Sequence, residues 1–383
     1  MKNIIYLFIS PEQLEVHTKN LGQTLVKLFI IFCVLTGCSD SNVSENVINI
    51  EQQVENPVTI QASKIINKMQ YIALETTEES LLGEMIKILS VNDYFFILDD
   101  YHLSMFDHRG KFIHHIGNKG QGPGEYAQMH DFDVYDKHIY ILDDAKSTIL
   151  VYDYNNQFIR AVKFDHYVSN LLKLSTGFIC YLDPLLRKSR YGKSVPDLVL
   201  FDEAGKEKKV LHSRTVNIES VPPFVYPAVL KRYKDEVLYY PPFQDTVFSI
   251  GEEKTIPKFI FNRGKYAISV NEIDDLEKRR IAYQKGIVIH NFEINDSQML
   301  LHCEQNGNIG IYIYNLSTKE LVNTSKIIND IDNTFDVFPV CLTENHTVEI
   351  IFALDLLKDK NKIPELLNIQ EDDNPVLRIS DLK

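Results

Sequence analysis

The sequence has no tryptophan, no Cys-x-x-C pair, no basic surplus and no apolar run long enough to cross a bilayer. Each absence removes a class of function. Without paired cysteines there is no signal for a zinc site or a redox dithiol. The formal charge of −13 speaks against a nucleic-acid partner, because phosphate binding needs a basic surface. The sequence also lacks a G-x-S-x-G elbow, and no pair of carboxylates stands out as an acid and a base. Five cysteines are present, at 33, 38, 180, 303 and 341. The last three are widely spaced and odd in number, so they cannot all pair and are expected to be small buried hydrophobes.

Aromatic content is high, with 20 Tyr and 21 Phe, a composition suited to strands. One pattern organises them. Residues 94–117 read YFFILDDYHLSMFDHRGKFIHHIG and residues 138–162 read HIYILDDAKSTILVYDYNNQFIRAV. Both contain an apolar run ending in Leu-Asp-Asp, a second run ending in an aromatic and Asp, a turn, and a third run. Asp99 matches Asp143 at a step of 44; Asp107 matches Asp153 and Phe112 matches Phe158 at a step of 46. A period in the forties built from short strands is that of a β-propeller blade.

The repeat continues in weaker form. Blade one is expected over 85–126, blade two over 130–165, blade three around Asp183 and Asp202, and blade four over 236–261. Blade five is expected over 287–324 and blade six over 336–354. Residues 184–196 read as a long basic loop. Residues 269–285 break the pattern and predict one rim helix, with a capping box at Ser269 and Glu272 and a stop at Gly286. The strand at 69–74 precedes the first repeat and is expected, with the tail strand at 374–380, to complete the last blade and remove open edges. The predicted fold is therefore all-β, a six-bladed β-propeller of four-stranded antiparallel blades with one short inserted helix.

The N-terminus predicts an address. Lys27 followed by LFIIFCVLTGC is too short to span a membrane, which takes roughly 20 apolar residues, and fits a secretory signal. The stretch before Lys27 is long for such a signal and has its own apolar run from Ile4 to Ile9. Two readings stay open, a start downstream of Met1 or an extended leader, and both leave Cys38 in place. Domain expectations are a signal over 1–37, a polar tether over 38–56 and the propeller over 57–383. The ending Leu35-Thr36-Gly37-Cys38 resembles the bacterial lipobox. That resemblance implies cleavage before Cys38, acylation of Cys38 and a lipid-anchored envelope location; inner and outer membrane both stay open, with the outer favoured because Asp40 stands one place beyond the position next to Cys38.

A second resemblance rests on MQYIALET at 69–76, GQGPGEY at 120–126, YYPPFQDTVF at 239–248 and EDDNPVL at 371–377. These are similar to six-bladed β-propeller lipoproteins of Bacteroides and relatives, with NHL-repeat propellers as wider kin. The resemblance supports fold and address and supplies no catalytic motif.

Three functions follow as expectations. The first is a non-catalytic, envelope-anchored binding or scaffold lipoprotein, a monomer that presents propeller loops to an envelope protein, peptide or glycan and needs no cofactor. The second is a metal-dependent hydrolase or lyase of the lactonase-like type, holding a divalent cation such as calcium in the channel. Its candidate ligands are Asp99, Asp100, His114, His115, His130, Asp131, Asp133, Asp143 and Asp144, although His114 and His115 on one strand must point to opposite faces. Against it, Asp at strand ends ordinarily caps a turn with its own backbone. The third is an assembly partner of a larger envelope machine, which predicts exposed apolar side chains on one face. The candidate ligand surface is Gln121, Glu125, Tyr126, His130 and Asp131, flanking the Gly-rich loop at 117–126. That loop is not read as a phosphate cradle, since a strand and not a helix follows it.

Overall fold

The computed structural model describes residues 46–183, 194–215, 228–251, 254–269, 276–357 and 363–383. Cys38 and the expected signal lie outside them, as do most of the basic loop at 184–196 and the capping-box residue Glu272.

Six antiparallel sheets of four strands each follow one another along the chain. Their innermost strands are Met85–Val91, Met129–Tyr135, Asn170–Leu174, Val229–Tyr233, Val288–Ile294 and Cys341–Leu342. The second strand of each blade is sandwiched between its neighbours, so it reads as a continuous apolar run instead of alternating. Phe95 to Leu98, Ile139 to Leu142 and Phe178 to Leu182 are all buried. Outer strands meet water: Phe158 and Ile159 are exposed, whereas Val162 on the same strand is buried.

The repeated aspartates punctuate the blades. Asp107 Oδ1 accepts from the N–H groups of Arg109 and Lys111, and Asp153 Oδ1 from those of Asn155 and Gln157. Asp202 repeats the pattern with Ala204 and Lys206. These third-to-fourth-strand turns are Asx turns. Asp99 and Asp143 act one turn earlier. Each caps its own turn, through His102 and Lys146 N–H, and reaches back to Gly83 N–H or Ala127 N–H, which open the next-inner strand.

Closure joins the two ends of the chain. Ile66–Ala73 pairs antiparallel with Val376–Leu382 as the outermost strand of blade six. The seam is held by Arg378, which is fully buried. Its guanidinium donates to Glu349 Oε2 and to the carbonyls of Phe335 and Asp336, and lies 3.5 Å from the Tyr71 hydroxyl on the N-terminal strand. Tyr71 in turn donates to Asp332 Oδ2 at 2.8 Å.

Two expectations need correction, while the expected rim helix is present. Residues 46–56 are not tether: Val47–Asn49 adds a parallel fifth strand to the edge of blade four, and Val58–Gln61 does the same on blade five. The innermost strand of blade six begins at Cys341, not 336, and its second strand ends at Ile351. Phe352 and Leu354 leave the sheet with the short helix Ala353–Leu356. The rim helix is Leu276–Lys285. Gly286 ends it by close packing, since a Cβ there would lie 2.3 Å from the Ile268 side chain.

Two predictions follow. Replacing Arg378 by Met leaves the Glu349 carboxylate buried without its partner and should lower the unfolding free energy by about 3–5 kcal/mol. Adding Glu349→Leu should recover most of that loss in denaturant melts; a double variant as unstable as the sum of the singles would contradict the clamp. Separately, His302 is buried with Nε2 2.6 Å from the Pro339 carbonyl. Burial holds its pKa below the ordinary 6.5. The unfolded chain therefore binds this proton first, so stability is full above about pH 6.5 and falls as pH drops below it. His302→Gln should flatten that acid limb in pH-dependent melting; an unchanged slope would exclude His302 as its source.

Candidate functional site at the loop-rich end of the channel

In a four-stranded meander the first strand starts, the second ends and the third starts at one end of the blade. The connections between blades reach that same end. It therefore gathers the Gly-rich loop, the rim helix and the long insertion of blade six.

The channel itself is lined by innermost strands whose outer edge is paired and whose inner edge is not. Charged side chains from neighbouring blades satisfy that edge. On blade two, Asp131 Oδ2 accepts from Leu171 N–H at 2.9 Å and Asp133 Oδ2 from Lys173 N–H at 2.7 Å, both on blade three. Lys87 of blade one donates to Asp131 Oδ1 and to the Phe132 carbonyl, each at 2.7 Å. Arg232 of blade four grips both oxygens of Asp133 and the Lys173 carbonyl. Lys231 pairs with Glu293 of blade five, which also accepts from Asn291. Burial opposes the charge on Lys231, yet Glu293 holds its pKa above the ordinary lysine value. Cys341, on the same lining, is pushed up to about 12 chiefly by burial, with Glu293 adding to it, so its thiol stays protonated. Cys180 and Cys303 are free and buried.

The five residues of the sequence-predicted surface do not converge. Gln121 and His130 are exposed. Glu125 Oε2 accepts from Gly122 N–H at 2.7 Å, inside its own loop. Tyr126 is buried in the core between blades one and two. Burial, and then Asp99, raise its phenol to about 12. Asp131 belongs to the channel lattice just described. His130 Nδ1 is 3.7 Å from Asp144 Oδ2, which also accepts from the Tyr167 hydroxyl. Lys146 donates to the Gly120 and Glu125 carbonyls and fixes the Gly-rich loop from below. The backbone N–H of Gly120 bonds to the Tyr126 carbonyl. The amides of Gly117, Gly120, Gly122, Glu125 and Tyr126 are thus already engaged.

Of the remaining candidates, Asp99 and Asp143 cap turns as stated. His114 Nε2 bonds to the Tyr154 carbonyl, while His115 faces the other way. His115 bonds to Ser104 Oγ and the Glu79 carbonyl and stacks on His102 at 4.1 Å. Burial holds the His115 pKa below its ordinary value. Among the described residues, no three His, Cys, Asp or Glu side chains are grouped so as to hold a metal ion.

Sequence reasoning missed the rim of blades six and one. Seven described large hydrophobic side chains are more than half exposed, and six of them sit at this end of these two adjacent blades. Leu81, Ile86 and Tyr101 belong to blade one, and Phe352, Leu354 and Leu367 to the insertion of blade six. Ile86 and Tyr101 flank a cleft of 290 Å³ that runs past Asp100, Lys119 and Gln128. No motif marks these residues, because they come from four separate stretches of chain.

Comparison with solved structures agrees with the architecture. A Bacteroides fragilis protein described as a candidate exported protein superposes with a TM-score of 0.68 at 19% identity, over 88% of this chain and 99% of that one. A DUF4221-family protein from Bacteroides vulgatus superposes with a TM-score of 0.52 at 9% identity, over 83% of this chain and 97% of that one. At these identities the likeness concerns the fold alone. No match was found among curated proteins. Residues 45–380 match a domain of unknown function, DUF4934, and the chain belongs to that family.

Proposed function

We propose that this protein is a non-catalytic binding protein of the cell envelope, lipid-anchored through Cys38, which engages a partner with the loop-rich end of its propeller. One observation carries the reading. The channel acids that could serve as metal ligands or bases are held by inter-blade bonds, while large apolar side chains stand exposed at the rim. Asp131, Asp133 and Glu293 each have a cation within hydrogen-bond reach. A carboxylate in that state is a structural strut, and freeing it would break an ion pair that joins two blades. An exposed apolar cluster is the ordinary mark of an interaction surface.

The address rests on the lipobox-like ending at Cys38. Export is also ascribed to the Bacteroides fragilis protein of similar fold. Because the strap on blade four begins at Val47, only eight residues, or nine Cα–Cα steps, separate it from Cys38. At full extension they span roughly 30 Å, so the anchored propeller would stay near the bilayer. The outer membrane is the leaflet system this reading favours.

The hydrolase or lyase reading has no observation of its own in its favour and gives a separate test. If the channel acids are struts, millimolar calcium or a chelator should leave the melting temperature within about a degree; a calcium-dependent rise of several degrees would reinstate the metal reading. For the binding reading, Cys38→Ser should move the protein from the membrane fraction to the soluble fraction. A photoreactive residue placed at Tyr101 should give crosslinks in cells that the same residue at Lys137, on the opposite end, does not. Equal crosslinking at both ends, or none at Tyr101, would refute the choice of face.

A further inference from the structure

The rim that carries the exposed apolar side chains also carries a concentration of negative charge. Three stretches of described residues build it: 75–84, 99–101, and 352–357 with 363–373. They touch one another. Asn374, closing the third segment, accepts from Leu82 N–H and donates to the carbonyls of Glu75 and Ser80. Gly83 packs so tightly on the second segment that a Cβ would lie 2.0 Å from Asp100 and 2.7 Å from the Tyr101 ring. Their described residues hold eleven acids and no lysine or arginine, while Lys358, Lys360 and Lys362 lie outside the described residues. Eight of the acids are exposed: four within 75–84, then Asp100, Asp355, Glu371 and Asp372. None of Glu75, Glu78, Glu79, Glu84 or Asp100 forms an ion pair with a described Lys or Arg. Elsewhere, carboxylates such as Glu203, Glu236 and Asp245 do pair with neighbouring cations.

Like charges crowded on one face repel one another, and an apolar surface left in water costs free energy. A partner bringing cations to the acids and apolar groups to Leu81, Ile86, Tyr101 and Phe352 relieves both at once. An anionic lipid surface would be repelled. A neutral glycan could stack on Tyr101 but would leave the charge uncompensated.

We infer that the rim of blades six and one is a docking surface for a basic, amphipathic segment of a partner protein. The inference rests on the binding reading given above and adds the chemistry of the partner. The acids steer the segment and the apolar side chains hold it. His115 supports the surface from behind, because its bond to the Glu79 carbonyl ties the 75–84 segment to the outer strand of blade one.

The test uses the purified protein with a short lysine–leucine amphipathic peptide and its glutamate–leucine counterpart, read by fluorescence anisotropy. The lysine peptide should bind and the glutamate peptide should not. Affinity for the lysine peptide should fall about tenfold in the Ile86→Ser, Tyr101→Ser double variant. It should hold within about twofold in Ile309→Ser, an equally exposed site on blade five. Glu78→Lys with Glu84→Lys, which disturbs no packing, should weaken the lysine peptide to a similar degree and remove most of its salt dependence. Binding that ignores all of these substitutions, or a rim that takes up anionic vesicles or neutral oligosaccharide instead, would overturn the assignment. If Tyr101 crosslinks in cells to a glycan or an acidic protein, the binding face stands and the basic-partner inference falls.

Discussion

A propeller must dispose of the inner edges of its blades. Each innermost strand pairs on one side only, so six rows of backbone N–H and C=O groups converge on one axis with little room for water. An unpaired buried amide costs about as much as a lost hydrogen bond. Here the edge is satisfied by side chains that reach from one blade to the next. Asp131 and Asp133, two residues apart, meet Leu171 and Lys173, two residues apart on the neighbouring strand. The match of spacings makes the pair a short ladder in which carboxylates stand in for a missing strand. Lys87 and Arg232 then neutralise the two acids while capping the carbonyls of Phe132 and Lys173. The charges are thus a consequence of ring geometry, and the ring in turn depends on their being paired.

The same logic governs the seam. Blade six cannot be completed until the first described long strand meets the last, across some three hundred residues. Such a contact carries a high loop-closure cost. Burying an ion pair at that point adds a desolvation cost of its own. What Arg378 gains in return is geometry: its five donors span Glu349, two carbonyls and the Tyr71 hydroxyl on the incoming strand. An apolar residue could fill the space but could not fix the register of a strand arriving from the other terminus. The parallel straps on blades four and five add edge cover on the outside of the ring.

These constraints explain what was legible in the sequence. Blade grammar was legible because the second strand is buried on both faces and the third-to-fourth turns of blades one, two and three open on Asp107, Asp153 and Asp202. Closure was legible because a strand with no blade of its own must pair somewhere. The tether was misjudged because Val47–Asn49 forms an edge strand against a partner more than two hundred positions away, which leaves no local period. Blade six read as far as 354 because Phe352 and Leu354 are apolar, when the strand ends at Ile351 and both side chains are exposed. The fate of Asp131 was not legible at all. Strand alternation gives the face of a side chain, not the blade it will bridge to, and nothing local distinguishes a strut from a ligand.

That distinction bears on where function can reside. Because Asp131, Asp133 and Glu293 are paired across blades, a ligand binding them in the channel would have to displace charge pairs that hold blades together. The ends of the blades carry no such constraint: a side chain beyond the last ladder bond can change without disturbing the register beneath it. Ile86 shows the boundary. It lies one residue inside its strand, next to Met85 paired with Asp99, yet its side chain is more exposed than most on the surface. Lys87, its neighbour, turns inward to bind Asp131. Within two residues the chain passes from a position fixed by ring closure to one free to answer a partner, and it is at the free position that an apolar side chain stands in water.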